Sequence, residues 1–494
     1  MAAAPLAAPT SVSRRRSTLA TGTRSSRRLR GLIGVPAILA IAATVAALAP
    51  GGSARADVPI RHVVILFQEN HSFDNVFGQF CYEVDHQQLS RAGLDQGCDG
   101  VVTGKNNKGK PVPLTPAPDF VPNVSHTVAA QQVAMDGGKM DGFSKINGCK
   151  KKQGYGCYVT FAPPTTGNRG SISNLATLAE QFALSDRTFE FRSTPSWGGH
   201  LVLAAATTDG FSGDNPKNST YTSKRGPGWG CDSYRDAEWW NGSTYVPEPA
   251  CIPDAQGNGP YRASPVQYVP TIFDRLDAAG LSWKIYASGP SGSTDVIPYG
   301  WDICPSFFEC LGGPQHANLV PTSNVLTDAS AGTLPNFSIV TPSLDISQHN
   351  GYSMAQGDDW IGNVVSSIES GSDWDSTAIF IVYDDFGGFY DHVNPQQYDP
   401  NWGIRLPVVI VSPYARAGYT DSTPATLVSF LAYTEHVFGL TALDPQTDGL
   451  AYDFSNSFDY SQTPLAPVAM THTSIPRAER LRIAREPPPL DDPT

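Results

Sequence analysis

Two apolar runs that each end in carboxylates constrain this chain more than any other feature. His62-Val-Val-Ile-Leu-Phe67 leads into Gln68-Glu69-Asn70, and Thr377-Ala-Ile-Phe-Ile-Val-Tyr383 leads into Asp384-Asp385. β-Branched and aromatic residues with no polar face read as strands buried on both sides, as in a parallel sheet. A charge just past such a strand is costly unless it is paired or metal-bound. It also falls at the carboxyl edge of the strand, where open α/β sheets bind ligands. Hard oxygen donors at two such edges point to a divalent cation between them. The plainer alternatives are a helix cap at Glu69-Asn70 and an acidic surface turn at Asp384-Asp385.

The second motif is the stronger one. Adjacent carboxylates repel, so an opposite charge is needed to keep both ionised. Gly387-Gly388 let the backbone turn sharply beneath a ligand, and His392 then returns as a candidate ligand or acid. Further along, Ser193-Thr-Pro-Ser-Trp-Gly-Gly-His200 reads as a proline-fixed turn opening a helix. A hydroxyl at that helix start, Ser196, is a candidate nucleophile beside a metal. On spacing alone, N-capping is the commoner use of such a serine. His126 and His349 are each unremarkable alone; beside a metal they could bind phosphoryl oxygens or protonate a leaving group.

Between these motifs, strand-like and helix-like stretches alternate. Residues 172–185, 271–279, 358–370 and 426–440 read as helices; 282–287, 336–341 and 405–412 read as strands. The alternation predicts an α/β fold, a mostly parallel central sheet with helices on both faces. Long Gly- and Pro-rich segments at 99–124, 210–265 and 288–335 interrupt it.

The first 56 residues stand outside that pattern. They carry eight arginines and no acidic residue, then an apolar stretch and an Ala54-Arg55-Ala56 cleavage site. This predicts an export signal, and Ser26-Arg27-Arg28-Leu29-Arg30 looks like a twin-arginine motif. Residues 57–455 then form the catalytic domain, and the Pro-rich 456–494 a frayed tail. Without the leader the net charge moves from −12 to about −20, which argues against nucleic acid as a partner. All eight cysteines lie in the mature part, none with C-x-x-C spacing. In an exported chain they suggest disulfides, and we expect the sequential pairs 81–98, 149–157, 231–251 and 304–310.

His62-Val-Val-Ile-Leu-Phe-Gln-Glu-Asn-His-Ser-Phe-Asp-Asn-Val-Phe-Gly78 resembles the signature of a bacterial phosphoesterase family containing non-haemolytic phospholipases C and acid phosphatases. Ser125-His126, Gly137–Phe143, Tyr383–Val393 and Arg405–Ala415 match further blocks, so the resemblance spans roughly 60–442. It implies an alkaline-phosphatase-like architecture and one or more divalent metal ions held by Glu69, Asn70, Asp384 and Asp385. It further implies a phosphoenzyme on Ser196, with His126 and His349 lining the phosphoryl site. His200 keeps the basic position of the nucleophile turn, whereas Gly198-Gly199 replaces the family's usual Pro-Asn. His392 joins the substrate-binding candidates.

The resulting expectation is a secreted, metal-dependent phosphoric ester hydrolase. Its substrate would be a phospholipid head group or a soluble phosphomonoester, with peripheral membrane contact in the first case. Two alternatives share the scaffold: a sulfatase or phosphonate hydrolase, and a non-catalytic surface-binding relative.

Overall fold

The runs 62–68 and 377–383 lie side by side at the centre of a nine-stranded sheet. The computed structural model describes residues 58–163, 170–287 and 301–473, together with 477, 478 and 481. The expected export signal, residues 1–56, lies outside the described residues, as does the stretch 288–300 of one long loop. In chain order the sheet strands are β1 (His62–Gln68), β2 (Ala183–Phe189), β3 (Trp283–Tyr286), β4 (Leu319–Val320), β5 (Phe337–Val340), β6 (Thr377–Tyr383), β7 (Arg405–Val411), β8 (Thr420–Asp421) and β9 (Ala425–Thr426). They run β4-β3-β5-β1-β6-β7-β2-β8, with β9 also paired to β2.

Only β7 departs from the parallel expectation, pairing antiparallel with β6 and β2. Residues 384–404, which lead into it, contain no α-helix. A parallel return needs a long crossover, and without a helix there the chain comes straight back. As a consequence, the carboxyl ends of β1, β2, β5 and β6 share one edge with the start of β7. The site is built on that edge.

The helices that frame the sheet and the site are α1 (Phe73–Asp85), α2 (Val128–Met135), α3 (Ser173–Gln181), α4 (Ser196–Ala205), α5 (Ile272–Ala279), α6 (Met354–Ser370) and α7 (Val428–Phe438); Phe308–Gly312 and Asn324–Ala331 add two short ones. Five of the labelled helices fall into two packing groups, α3 with α6 and α4 with α5 and α7, and Asn324–Ala331 packs on α6 as well. Phe67 pairs with Val382, two residues on from Phe380, so both rings point to one face of the sheet, toward the second group. Phe67 turns its ring edge-on to His200 of α4, and Phe380 packs on Phe430 and Tyr433 of α7. Local signals set several boundaries. Thr271 and Asp274 form a capping box at the start of α5, and Gly280 ends it at φ +68°, as such residues do.

Three expectations need correction. The helix expected over 172–185 stops at Gln181, and Ala183–Phe189 is the strand β2. Its buried Ser185, Asp186 and Thr188 break the apolar run that marks the other central strands. Ser185 and Thr188 satisfy each other at 2.8 Å, and Asp186 accepts from the Asp99 amide at 2.9 Å. The loop 210–265 holds a small antiparallel sheet, Lys217–Asn218, Arg235–Trp240 and Tyr245–Pro249. The segment after 455 is not frayed as far as Thr473. Phe458 stacks on Tyr433, and the Val468 and Thr471 amides donate to Glu369 and Asn174.

All four sequential disulfides form: Cys81–Cys98, Cys149–Cys157, Cys231–Cys251 and Cys304–Cys310. Among the described residues no helix is long and apolar enough to cross a membrane.

Phe380 joins the sheet to the end of the chain, since its ring meets Phe430, Tyr433, Phe454 and Phe458. Phe380→Ala is expected to destabilise the protein by about 3–5 kcal/mol, the usual result of emptying a buried aromatic site. Denaturant unfolding measures it, and a loss below about 1 kcal/mol would show that this core rearranges.

Candidate active site

Glu69 and Asn70 follow β1, Asp384 and Asp385 follow β6, and the two strands are paired in register through Gln68 and Tyr383. The Asp384 amide donates to the Gln68 carbonyl at 3.1 Å, and the Asn70 amide donates to Asp384 Oδ1 at 2.8 Å. Motifs more than three hundred residues apart therefore share one pocket of backbone. All four side chains are fully buried. Asn70 takes φ +65°, a left-handed conformation that Asn tolerates better than most residues. Gly387, at φ +62°, passes so close that a Cβ there would meet the Asn70 carbonyl oxygen at 1.9 Å. The glycine turn thus presses the two motifs together.

Ser196 enters from a third direction. It is the first residue of α4, with Pro195 at the cap position, and its hydroxyl makes no capping bond. That removes the capping role. Instead Ser196 Oγ lies 3.2 Å from the Asn70 amide and 3.2 Å from Asp385 Oδ2. Gly199 explains the glycine pair that follows: a Cβ there would sit 2.5 Å from the Asp384 carbonyl oxygen. Any larger residue would push the start of α4 off the β6 loop.

The donor set fits a hard cation. One terminal atom of the Asn70 amide lies 3.1 and 3.2 Å from the two Asp384 oxygens, 3.0 Å from Asp385 Oδ2 and 3.2 Å from Ser196 Oγ. The other lies 2.9 Å from His349 Nε2. With nitrogen inward, the amide donates to the carboxylates. With oxygen inward, it faces the carboxylate oxygens and the Ser196 hydroxyl, the orientation in which Asn70 could serve as a cation ligand. Glu69, His200 and Asp384 also offer ligand atoms within 4.8 Å of one another. Buried carboxyl groups this close, Glu69 and Asp384, repel each other when ionised, and a cation would compensate them.

A family model described as the Phosphoesterase family matches residues 60–441. The chain belongs to the Phosphoesterase family. It is a hydrolase of phosphoric ester bonds. Phospholipase C A of Mycobacterium tuberculosis is 24% identical over 449 residues, covering 82% of this chain and 78% of that protein. A non-hemolytic phospholipase C of Burkholderia pseudomallei is 24% identical over 468 residues, covering 81% of this chain and 59% of its own. Among solved structures, a protein in the alkaline phosphatase superfamily from Vibrio parahaemolyticus covers 61% of this chain and 66% of its own. Its identity is 14% and its TM-score 0.35.

The histidines of this phosphoesterase separate into three roles. His126 and His349 are buried with ring centroids 6.2 Å apart. Their Nδ1 atoms are tied to backbone carbonyls, of Val124 and Asn350 respectively, each at 2.9 Å. Trp301 stacks on His349 with an interplanar angle of 14°. His200 lies 3.3 Å from Glu69 Oε1. Burial lowers its pKa to about 4. His71, which sequence reasoning passed over, is likewise pushed down to about 4 by burial. It bridges Asn75 and the Gln348 carbonyl.

His392 stands apart from the group expected of it. Its nitrogens bond Asp74 at 2.7 Å and Asp99 at 3.1 Å. The same cluster contains Arg405, bonded to Asp391 and Asp74. Sequence reading also missed Glu190, a fully buried carboxyl group that bonds the Thr194 and Phe386 amides.

Burial opposes charge on His392, but Asp74 and Asp99 outweigh it and raise the pKa to about 10. A histidine with a raised folded pKa contributes its full stability below the unfolded value, about 6.5. That contribution is lost as pH climbs through the folded value. The Tm difference between wild type and His392→Asn is expected to be widest near about pH 6 and to close by about pH 10. A difference independent of pH would contradict the assignment.

Proposed function

We propose that this phosphoesterase is a secreted, cation-dependent hydrolase that works through a covalent phosphoserine on Ser196. The observation that carries the reading is the contact of the Ser196 hydroxyl with Asn70 and Asp385 inside a buried cluster of carboxyl groups. Glu69, Asn70, Asp384 and Asp385 would hold the cation. The chemistry it supplies is charge neutralisation at a phosphoryl oxygen and a lowered pKa at the serine hydroxyl. Secretion is supported by the four disulfides, which persist in oxidising compartments. The leader 1–56 would supply export, by the twin-arginine route.

In the proposed sequence Ser196 passes its proton to Asp385, and Oγ bonds to phosphorus as the bond to the leaving oxygen breaks. His126 or His349 protonates that oxygen. Water then attacks the phosphoserine, the Oγ–P bond breaks, and Asp385 returns the proton to Oγ. The histidine recovers its own proton from the attacking water. Phosphoryl transfer depends mostly on positioning and charge stabilisation, and the rigid sheet edge supplies both.

Ser196→Ala is expected to lower kcat on p-nitrophenyl phosphate by about 10³-fold or more, as loss of a nucleophile does. A chelator should abolish wild-type turnover and added Mn²⁺ should restore it. Full activity in the serine variant, or turnover indifferent to the chelator, would sink the mechanism.

A phospholipid substrate is favoured by one surface feature. Trp240 and Tyr245 face each other across a hairpin tip with relative exposures of 44% and 49%. Aromatic residues of this kind sit well at a membrane–water boundary. The hairpin is anchored beside the nucleophile turn. Phe211 bridges to Trp239 and packs on Trp197, and Gly198 donates to the Gly213 carbonyl. The double variant Trp240→Ser, Tyr245→Ser is expected to lose several-fold turnover on phosphatidylcholine vesicles while keeping p-nitrophenyl phosphate turnover. Equal effects on both substrates would favour a soluble monoester.

A further inference from the structure

Glu190 is the residue just past β2, and its carboxyl group is buried among segments that each carry part of the site. Oε2 accepts the Thr194 amide at 3.1 Å, two residues before Ser196. Oε1 accepts the Phe386 amide at 3.0 Å, the residue after Asp385. Gln131, on the helix that follows His126, donates from Nε2 to Oε2 at 2.5 Å. The backbone of Glu190 is fixed as well: its amide donates to the Ile404 carbonyl at 3.2 Å, and its carbonyl accepts from Gly403 at 3.0 Å. Gly403 leaves no room for a side chain, since a Cβ there would lie 2.4 Å from Glu190 Oε2.

A buried carboxyl group is a poor choice for mere packing. Its desolvation is costly, and here the neighbouring Asp385 adds repulsion. The compensating gain is geometric. A single two-oxygen acceptor fixes the β6 loop and the nucleophile turn against each other, with the His126 helix attached to the same atom. The two backbone donors leave the side chain of neither loop engaged, so Ser196 and Asp385 remain available to each other.

We propose that Glu190 is the positioning residue that sets the spacing between Ser196 and the Asp384-Asp385 loop, and through it the affinity of the site for a divalent cation. The inference rests on the cation-dependent reading given above. Outer partners of metal ligands commonly change metal affinity or activity by about 10–100-fold. An amide at position 190 keeps the shape but offers one acceptor atom where the site uses two, so one of the loops loses its anchor.

The test is calorimetric titration of chelator-treated protein with Mn²⁺, alongside Tm and steady-state kinetics on p-nitrophenyl phosphate. Glu190→Gln is expected to weaken Mn²⁺ binding and to lower kcat, each by about tenfold or more, with KM little changed. A role in fold stability alone would lower Tm and leave the Mn²⁺ affinity of the folded protein as in wild type; that result overturns the proposal. Gln131→Leu, which removes one of the three anchors without placing an extra donor beside Glu190, is expected to weaken Mn²⁺ binding to a smaller degree. It carries the same test if Glu190→Gln does not fold, and wild-type affinity there is equally fatal. Absence of Mn²⁺ binding by wild type would overturn the cation-dependent reading and this proposal with it. Binding by wild type with undiminished affinity in both variants would overturn the role of Glu190 alone.

Discussion

Mutual repulsion among the carboxyl groups of Glu69, Asp384 and Asp385 is the constraint around which the rest of this protein is arranged. Each is removed from water, so solvent cannot screen them, and each is delivered by backbone that has little freedom to move away. The Asp384 amide is held by Gln68, the Asn70 amide by Asp384, and the Gly387 amide by Asp385 Oδ1 at 2.6 Å. A chain that folds to this arrangement spends stability on it, which is the usual signature of a site rather than of a core. The surrounding sheet is correspondingly apolar. Val63 to Phe67 and Ala378 to Val382 are almost wholly excluded from solvent, and their burial offsets the cost at the strand ends.

A second buried charge cluster on the same edge shows what a self-contained arrangement looks like. Asp74, Asp391 and His392 also bring ligand atoms within 4.8 Å of one another. There, however, the positive charge belongs to the chain. Arg405 bonds Asp391 through Nε and Asp74 through Nη2, while its Nη1 reaches the Asp99 and Asp186 carbonyls. Phe73 covers the guanidinium face. Asp74 opens α1 just beyond Glu69-Asn70, and Asp391 lies just beyond Asp384-Asp385. The arginine clamp therefore ties the two acidic loops together a second time. It can do so only because β7 runs antiparallel and brings Arg405 to the edge where its neighbours end.

How much of this was legible in the residues varies with how plainly the physics is written in sequence. The central strands were, because a run such as Ala378-Ile-Phe-Ile-Val382 has no other use than a doubly buried strand. So were the positions of Glu69, Asn70, Asp384 and Asp385, which follow from where those runs stop. The sequential disulfides were legible because each closes a short excursion. β2 was not. Its Ser185, Asp186 and Thr188 are polar, the two hydroxyls satisfied by each other and Asp186 by the distant Asp99 amide, so the strand reads as a continuation of α3. Losing β2 also hid Glu190, whose position at a strand end would have marked it beside the other acidic residues. His392 misled for a different reason: proximity in sequence to Asp385 says nothing of the turn at Gly387, which carries the following residues toward Asp74.

The carboxyl cluster and the loops around it are held by different parts of the molecule. Glu69, Asn70, Asp384, Asp385 and Ser196 are fixed by paired strands and one helix start, and none of the four disulfides joins those strands to one another. The disulfides instead close the excursions around the site. Cys304–Cys310 follows Trp301, whose ring lies on His349, and encloses Ser306, which accepts the Trp197 indole N–H at 2.9 Å. Cys231–Cys251 spans the hairpin that exposes Trp240 and Tyr245. A sheet edge tolerates little change, because any shift there moves charges against each other in a dry environment. Stapled loops tolerate much more, since their anchors are local and their tips face solvent. A scaffold divided in this way keeps the sheet edge fixed while the stapled loops that carry Trp301, Trp240 and Tyr245 are freer to vary.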